Sequence, residues 1–244
     1  ITTDKVIAFT TTLQYTTPTR LSSSRMSLAA TTVNNYAIFA GGSHNDDNDG
    51  DIWNADLPVP VSVVDAYSSS MTRTTRTSLS EAVSSLAATT VGDYALFGGG
   101  YCYIRSTSTT TYSSVVDAYN GSLTRTTPAS LSKARDGLAA TTFGNYALFG
   151  GGYYGITNAF SNVVDVYDIN LVQTTPTTFN VGKRYYAATN AGEYAIFAGG
   201  IGVGTRNYLD TVEMFDSSLT RTTAPSLHEA RSGLAATKLG DYVL

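Results

Sequence analysis

The chain has 244 residues, 42 % hydrophobic and only 14 % charged, with a net charge of −4 and one cysteine. That balance leaves no basic footprint for nucleic acid or an anionic membrane surface, and Cys102 alone excludes an internal disulfide. Apolar runs are of strand length, so no bilayer-spanning segment is expected, and an opening on Ile1 without a signal-like stretch reads as part of a longer polypeptide.

Taken in order, residues 1–24 begin with Lys5–Phe9 (KVIAF) and a Thr-rich strand, LQYTTPTRL. Next comes Leu28–Gly42 (LAATTVNNYAIFAGG), which recurs as Leu86–Gly100, Leu138–Gly152, Tyr186–Gly200 and, shortened, Leu234–Leu244. Five copies of one unit make this a repeat protein. A second segment follows each full copy: Val63–Tyr67, Val115–Tyr119, Val163–Tyr167 and Thr211–Phe215. The copies start 58, 52, 48 and 48 residues apart, and the stretches between diglycine and second segment hold 20, 14, 10 and 10 residues. All the length variation therefore falls in one loop. The chain opens with the second half of a unit and closes with the first half of one.

Each unit reads as four short strands. LAATT is small and Thr-rich, YALF or YAIF is apolar on both faces, VVDAY is third, and LTRTTP alternates like an outer strand. Between the first two stand Asn34-Asn35, Gly92-Asp93, Gly144-Asn145, Gly192-Glu193 and Gly240-Asp241, residues suited to a hairpin needing positive φ. Four-stranded antiparallel units of this length predict an all-β, five-bladed β-propeller, one domain over residues 1–244. Residues 1–24 and 234–244 would complete the fifth blade and remove the open edges.

The unit resembles the kelch repeat: a basic residue before the first strand (Arg25, Arg135, Arg184, Arg231), a Tyr opening the second (Tyr36, Tyr94, Tyr146, Tyr194, Tyr242), the diglycine after it, and a V-acid-x-aromatic third strand. Two features depart from that family. The fourth-strand Trp is replaced by Arg73, Arg125, Gln173 and Arg221, and five blades are fewer than six or seven. The wording of the repeat is similar to bacterial surface and phage-tail-associated proteins, which implies a protein- or glycan-binding module outside the cell or on a phage particle. The family's acidic-peptide binders line their pocket with Arg at the matching position. Strand direction, together with the resemblance, would set Arg25, Arg135, Arg184 and Arg231 around the central opening, with Val83 breaking the series; the alternative is a structural role, each paired with a neighbouring acid or turn carbonyl.

The variable loops hold Trp53, Tyr101, Tyr103, Tyr153, Tyr154, Phe160 and Tyr208, rings with an apolar body that suit sugars or peptides, whereas the opposite hairpin turns hold none. Asn45, Asp47, Asp49 and Asp56, with Gly50 at the sixth position, follow a calcium-loop spacing; the alternative is a solvated acidic insertion. Asp65, Asp117, Asp165 and Glu213 recur so regularly that a structural hydrogen-bonding role is expected. The Gly triplets lack the Lys-Ser/Thr and helix of a phosphate loop. Tyr101-Cys102-Tyr103 invites comparison with kelch copper oxidases, but His44 and His228 stand in no matching motif. No catalytic constellation is visible, so a binding module is expected, with an enzyme of the copper-oxidase or sugar-acting type and a structural spacer as alternatives.

Overall fold

The computed structural model describes residues 3–9, 14–45, 58–104, 107–155, 159–204 and 207–244. Among them there is no α-helix. Four antiparallel sheets of four strands follow the repeats, each a meander in chain order. The first joins Ala29–Val33, Tyr36–Ala40, Val64–Ser68 and Arg73–Thr75; the second joins Ala87–Val91, Tyr94–Gly98, Val116–Asn120 and Arg125–Thr126. The third runs from Ala139–Phe143 through Tyr146–Gly150 and Val163–Asp168 to Gln173–Thr178, and the fourth from Ala187–Ala191 through Tyr194–Ala198 and Val212–Phe215 to Arg221–Ala224. First strands of successive sheets lie side by side, giving a propeller-like arrangement.

Local chemistry sets each element. The hairpin turns place positive φ on their first residue, Asn34 (48°), Gly92 (51°), Gly144 (54°), Gly192 (52°) and Gly240 (59°). Small first-strand residues let neighbouring sheets converge, and threonines tie them: Thr31 Oγ1 lies 2.9 Å from Thr90 Oγ1, and Thr89 Oγ1 lies 2.8 Å from Thr142 Oγ1. The second and third strands form the core, where Phe97 and Phe149 meet Tyr119 and Tyr167 edge-on at 5.9 Å. Such pairs add about 0.5–1.5 kcal/mol each beyond area burial.

The diglycine is required because sheets approach closely there. A Cβ on Gly151 (φ +53°) would stand 2.6 Å from the Lys183 carbonyl of the next repeat, and one on Gly152 (φ +103°) would stand 2.7 Å from that of Asp136. The Gly152 amide donates to the same Lys183 oxygen at 2.8 Å.

Both half-repeats fold in the register of a full one. Ala8 pairs with Thr16 as Ala66 does with Thr74, and Leu239 pairs with Tyr242 as Val91 does with Tyr94. They stand as separate two-stranded sheets, with no ladder between them among the described residues. Phe9 (69 % exposed) and Leu244 (68 %) lie open where their counterparts Tyr67 and Leu96 are buried. The joined fifth sheet expected from the sequence is thus not formed by hydrogen bonds.

Candidate functional site

The recurrent acids are structural, as expected. Asp165 Oδ2 accepts from Arg135 Nη2 at 2.6 Å, while Ser132 donates through its amide and hydroxyl and Gln173 through Nε2 at 2.5 Å. Asp65 is held the same way by Arg25 at 3.0 Å, Ser22 and Arg73, and Glu213 by Lys183 at 2.6 Å, the Asn180 amide and Arg221. Asp117 has Ser80 and Arg125, with Val83 in the cation's place. The residues standing for the missing Trp are therefore the acids' second partners.

This corrects the expected arginine ring. Arg25 and Arg135 do not face the opening. Their guanidiniums are fully buried, and they also donate to the carbonyls of Phe39 and Phe149 in their own sheets. The backbone of Arg135 is meanwhile bonded to Ser113 and Gly100 of the preceding sheet, so the residue staples two sheets together. With side chains closed off from the surface and each guanidinium already paired to an acid, neither cation is open to a ligand. Arg231 is half-exposed and pairs with Glu229 at 3.3 Å. Arg184 stands one residue later than the expected alignment placed it: Lys183 is the counterpart of Arg25 and Arg135, and burial lowers its pKa against the pull of Glu213.

That one-residue offset gives Arg184 a different environment. Its guanidinium carbon lies 4.7 Å from the ring centroid of Tyr185, 4.9 Å from Tyr153 and 5.1 Å from Phe160. Among the described residues no acid lies within salt-bridge distance, unlike the four cations above; its Nε, like those of Arg25 and Arg135, has no hydrogen-bond partner. Tyr153 also meets Tyr112 edge-on at 5.6 Å. Asp136, only 7 % exposed, sits behind this cluster with Oδ1 unpartnered. Burial pushes its carboxyl up to about 6 while Arg184 and its own backbone amide pull down. Tyr112 is pushed up to about 12, first by burial and then by Asp136.

Beside the cluster is a cavity of about 330 Å³ lined by two residues from each of the five repeats: Ser27-Leu28, Ser85-Leu86, Gly137-Leu138, Tyr185-Tyr186 and Gly233-Leu234. The first of each pair has left-handed φ, from 54° to 66°. Their backbones form a chain of bonds across the repeats, in which the amides of Ser85, Gly137, Tyr185 and Gly233 donate to the carbonyls of Ser27, Ser85, Gly137 and Tyr185. Gly suits that conformation; Ser27, Ser85 and Tyr185 each hold it at a cost of about 1–2 kcal/mol.

Of the other expected site residues, Tyr101 bridges to Ser84 and burial raises its pKa, Tyr103 lies opposite Thr110, and Tyr208 is exposed and bridged to Ile201. Tyr154 lines a groove of about 680 Å³ with Tyr112, Lys133 and Gly155, the Lys133 ammonium 5.0 Å from its ring centroid. Trp53 and the calcium-type acids Asp47, Asp49 and Asp56 lie outside the described residues, as does the side chain of Asn45. Among the described residues no three His, Cys, Asp or Glu side chains gather as a metal would need, and Cys102 is a free thiol whose pKa is raised by burial. Sequence reasoning missed Asp136, Tyr112 and Tyr185. Tyr185 carried a signal, as the one aromatic at a position otherwise Ser or Gly.

The sheets and their order define an all-β, propeller-like repeat protein. A solved structure described as "Structure of YjhT" matches with a TM-score of 0.74 and 12 % identity, over 94 % of this chain and 79 % of that one, a likeness in fold. No protein-family model and no curated protein matches the chain.

Proposed function

We propose that the chain is a five-bladed, kelch-type propeller that works as a binding module, taking a peptide or glycan on the loop face beside the central opening. The observation that carries this is Arg184, a guanidinium boxed by three rings with no acid among the described residues within salt-bridge distance, next to a cavity that all five repeats line. Every loop insertion falls on the same side as that cluster, and loops on a rigid scaffold are where binding residues concentrate. Closure of the fifth blade is supported by the matching registers of the half-repeats and by Phe9 and Leu244, apolar side chains that pairing would cover.

The test is a screen of immobilised peptides and glycans, followed by variants. Arg184→Ala is expected to weaken the retained ligand about tenfold or more, and Asn145→Ala, in a hairpin turn of the opposite face, to leave it unchanged. Loss from Asn145→Ala alone would refute the assignment. A second reading, an enzyme acting on a sugar, is favoured by one observation: Asp136 titrates near 6, the range a general acid or base uses. Chemical change of the bound sugar, followed by NMR, would select it.

A further inference from the structure

Tyr185 combines three features that no core role explains. It has left-handed φ (55°) and is 43 % exposed, so burial does not repay the strain. The four counterparts are Ser27, Ser85, Gly137 and Gly233, so the fold itself does not call for a ring there. Its ring is nonetheless held in place: Gly137 makes room, since a Cβ there would lie 3.2 Å from Tyr185 Cε1, and the Arg184 guanidinium stands on its face. The backbone conformation is common to all five counterparts, so it is the choice of a half-exposed Tyr in it, at the mouth of a cavity, that marks a functional position.

Resting on the binding-site reading above, we propose that the occupant of the central opening is an uncharged saccharide ring, stacked on Tyr185 and hydrogen-bonded through its hydroxyls to Arg184. Three properties select that class. Asp136 lies close enough behind Arg184 to interact with it electrostatically without forming an ion pair, so the guanidinium's attraction for an anion is partly offset. The backbone groups facing the opening already bond one another from repeat to repeat, leaving a peptide strand no ladder to join. A cavity of about 330 Å³ suits a single ring unit, whose C–H face packs on an aromatic while its hydroxyls meet the donor beside it and the hydroxyls of Ser27 and Ser85.

The experiment is a calorimetric titration with four probe sets: methyl glycosides of uncharged hexoses and N-acetylhexosamines, the matching uronic acids, zwitterionic amino acids, and acidic hexapeptides. Uncharged glycosides are expected to bind more tightly than the other three sets. Tyr185→Gly is the discriminating variant: it should weaken glycoside binding about tenfold or more while leaving the melting temperature unchanged or higher, because the strain is released. A preference for uronic acids, amino acids or peptides at this face overturns the saccharide proposal and leaves the binding-module reading intact. No binding by any set overturns both. Glycoside binding unaltered by Tyr185→Gly, or a melting temperature lowered by several degrees, would show that the ring serves the fold and would also overturn the proposal.

Discussion

Arg135 Nη2 lies 2.6 Å from Asp165 Oδ2, with both side chains fully buried. The cation enters from the segment tied to the sheet before, so this contact joins two repeats as well as satisfying an acid. Removing one partner strands a buried charge. Arg135→Ala is expected to lower unfolding free energy by about 3–5 kcal/mol in a urea titration, whereas Arg231→Ala, at the half-exposed counterpart, should change it by no more than about 0.5 kcal/mol. Equal effects would contradict the assignment.

The repeat boundaries, the hairpin turns, the single variable loop and the structural acids were all legible in the sequence, because they rest on small or turn-forming residues that recur in place. The direction of the basic side chains was not legible, since recurrence marks a position without saying whether it serves the fold or a ligand. A countable signal existed. Arg25, Arg135 and Lys183 each stand three residues before the start of the recurring segment, at Leu28, Leu138 and Tyr186, whereas Arg184 stands two before it. That count separates a core cation from a displaced one. The charge on Asp136 had no signal in the sequence, because its environment is assembled from residues of three repeats.

The diglycine makes a sharp contrast between two glycines of similar φ. Gly151→Ala drives a methyl into the Lys183 carbonyl and the Tyr186 ring, while Gly144→Ala meets nothing within 4 Å. Thermal unfolding should show a loss of about 1 kcal/mol for Gly144→Ala, from backbone conformation alone, and a clearly larger loss for Gly151→Ala. A cost at Gly144 matching that at Gly151 would contradict the close approach.

Closure has a defined register. By analogy with Leu96 opposite Ala118, Leu244 would face Ala8 in a joined fifth sheet. Ala8→Cys combined with Leu244→Cys is expected to form a disulfide on mild oxidation and to raise the melting temperature, since the loop it closes spans the chain. Free thiols persisting under oxidation in the folded protein would argue for an open array.

Asp136 gives a pH signature. Its folded pKa, about 6, lies above the ordinary 3.8, so the folded chain holds the proton more tightly than the unfolded one. The stability it contributes is fully present below about pH 4 and is lost as pH rises through about 6. Asp136→Asn removes that loss. The variant should gain on wild type, by roughly 1–3 kcal/mol, between urea titrations near pH 4 and near pH 7. A difference independent of pH would show that the carboxyl titrates normally.

The central claim is that ligand is held at Arg184 beside the opening, and the Nε–H resonance of Arg184 in a ¹⁵N-labelled sample reports on it most directly. Assigned by its absence from Arg184→Lys, that resonance should shift on titration with a binding glycoside, while the amides of Gly144 and Asn145 in the opposite hairpin stay still. A stationary Arg184 signal with shifts confined to Gly144 and Asn145 would contradict the account.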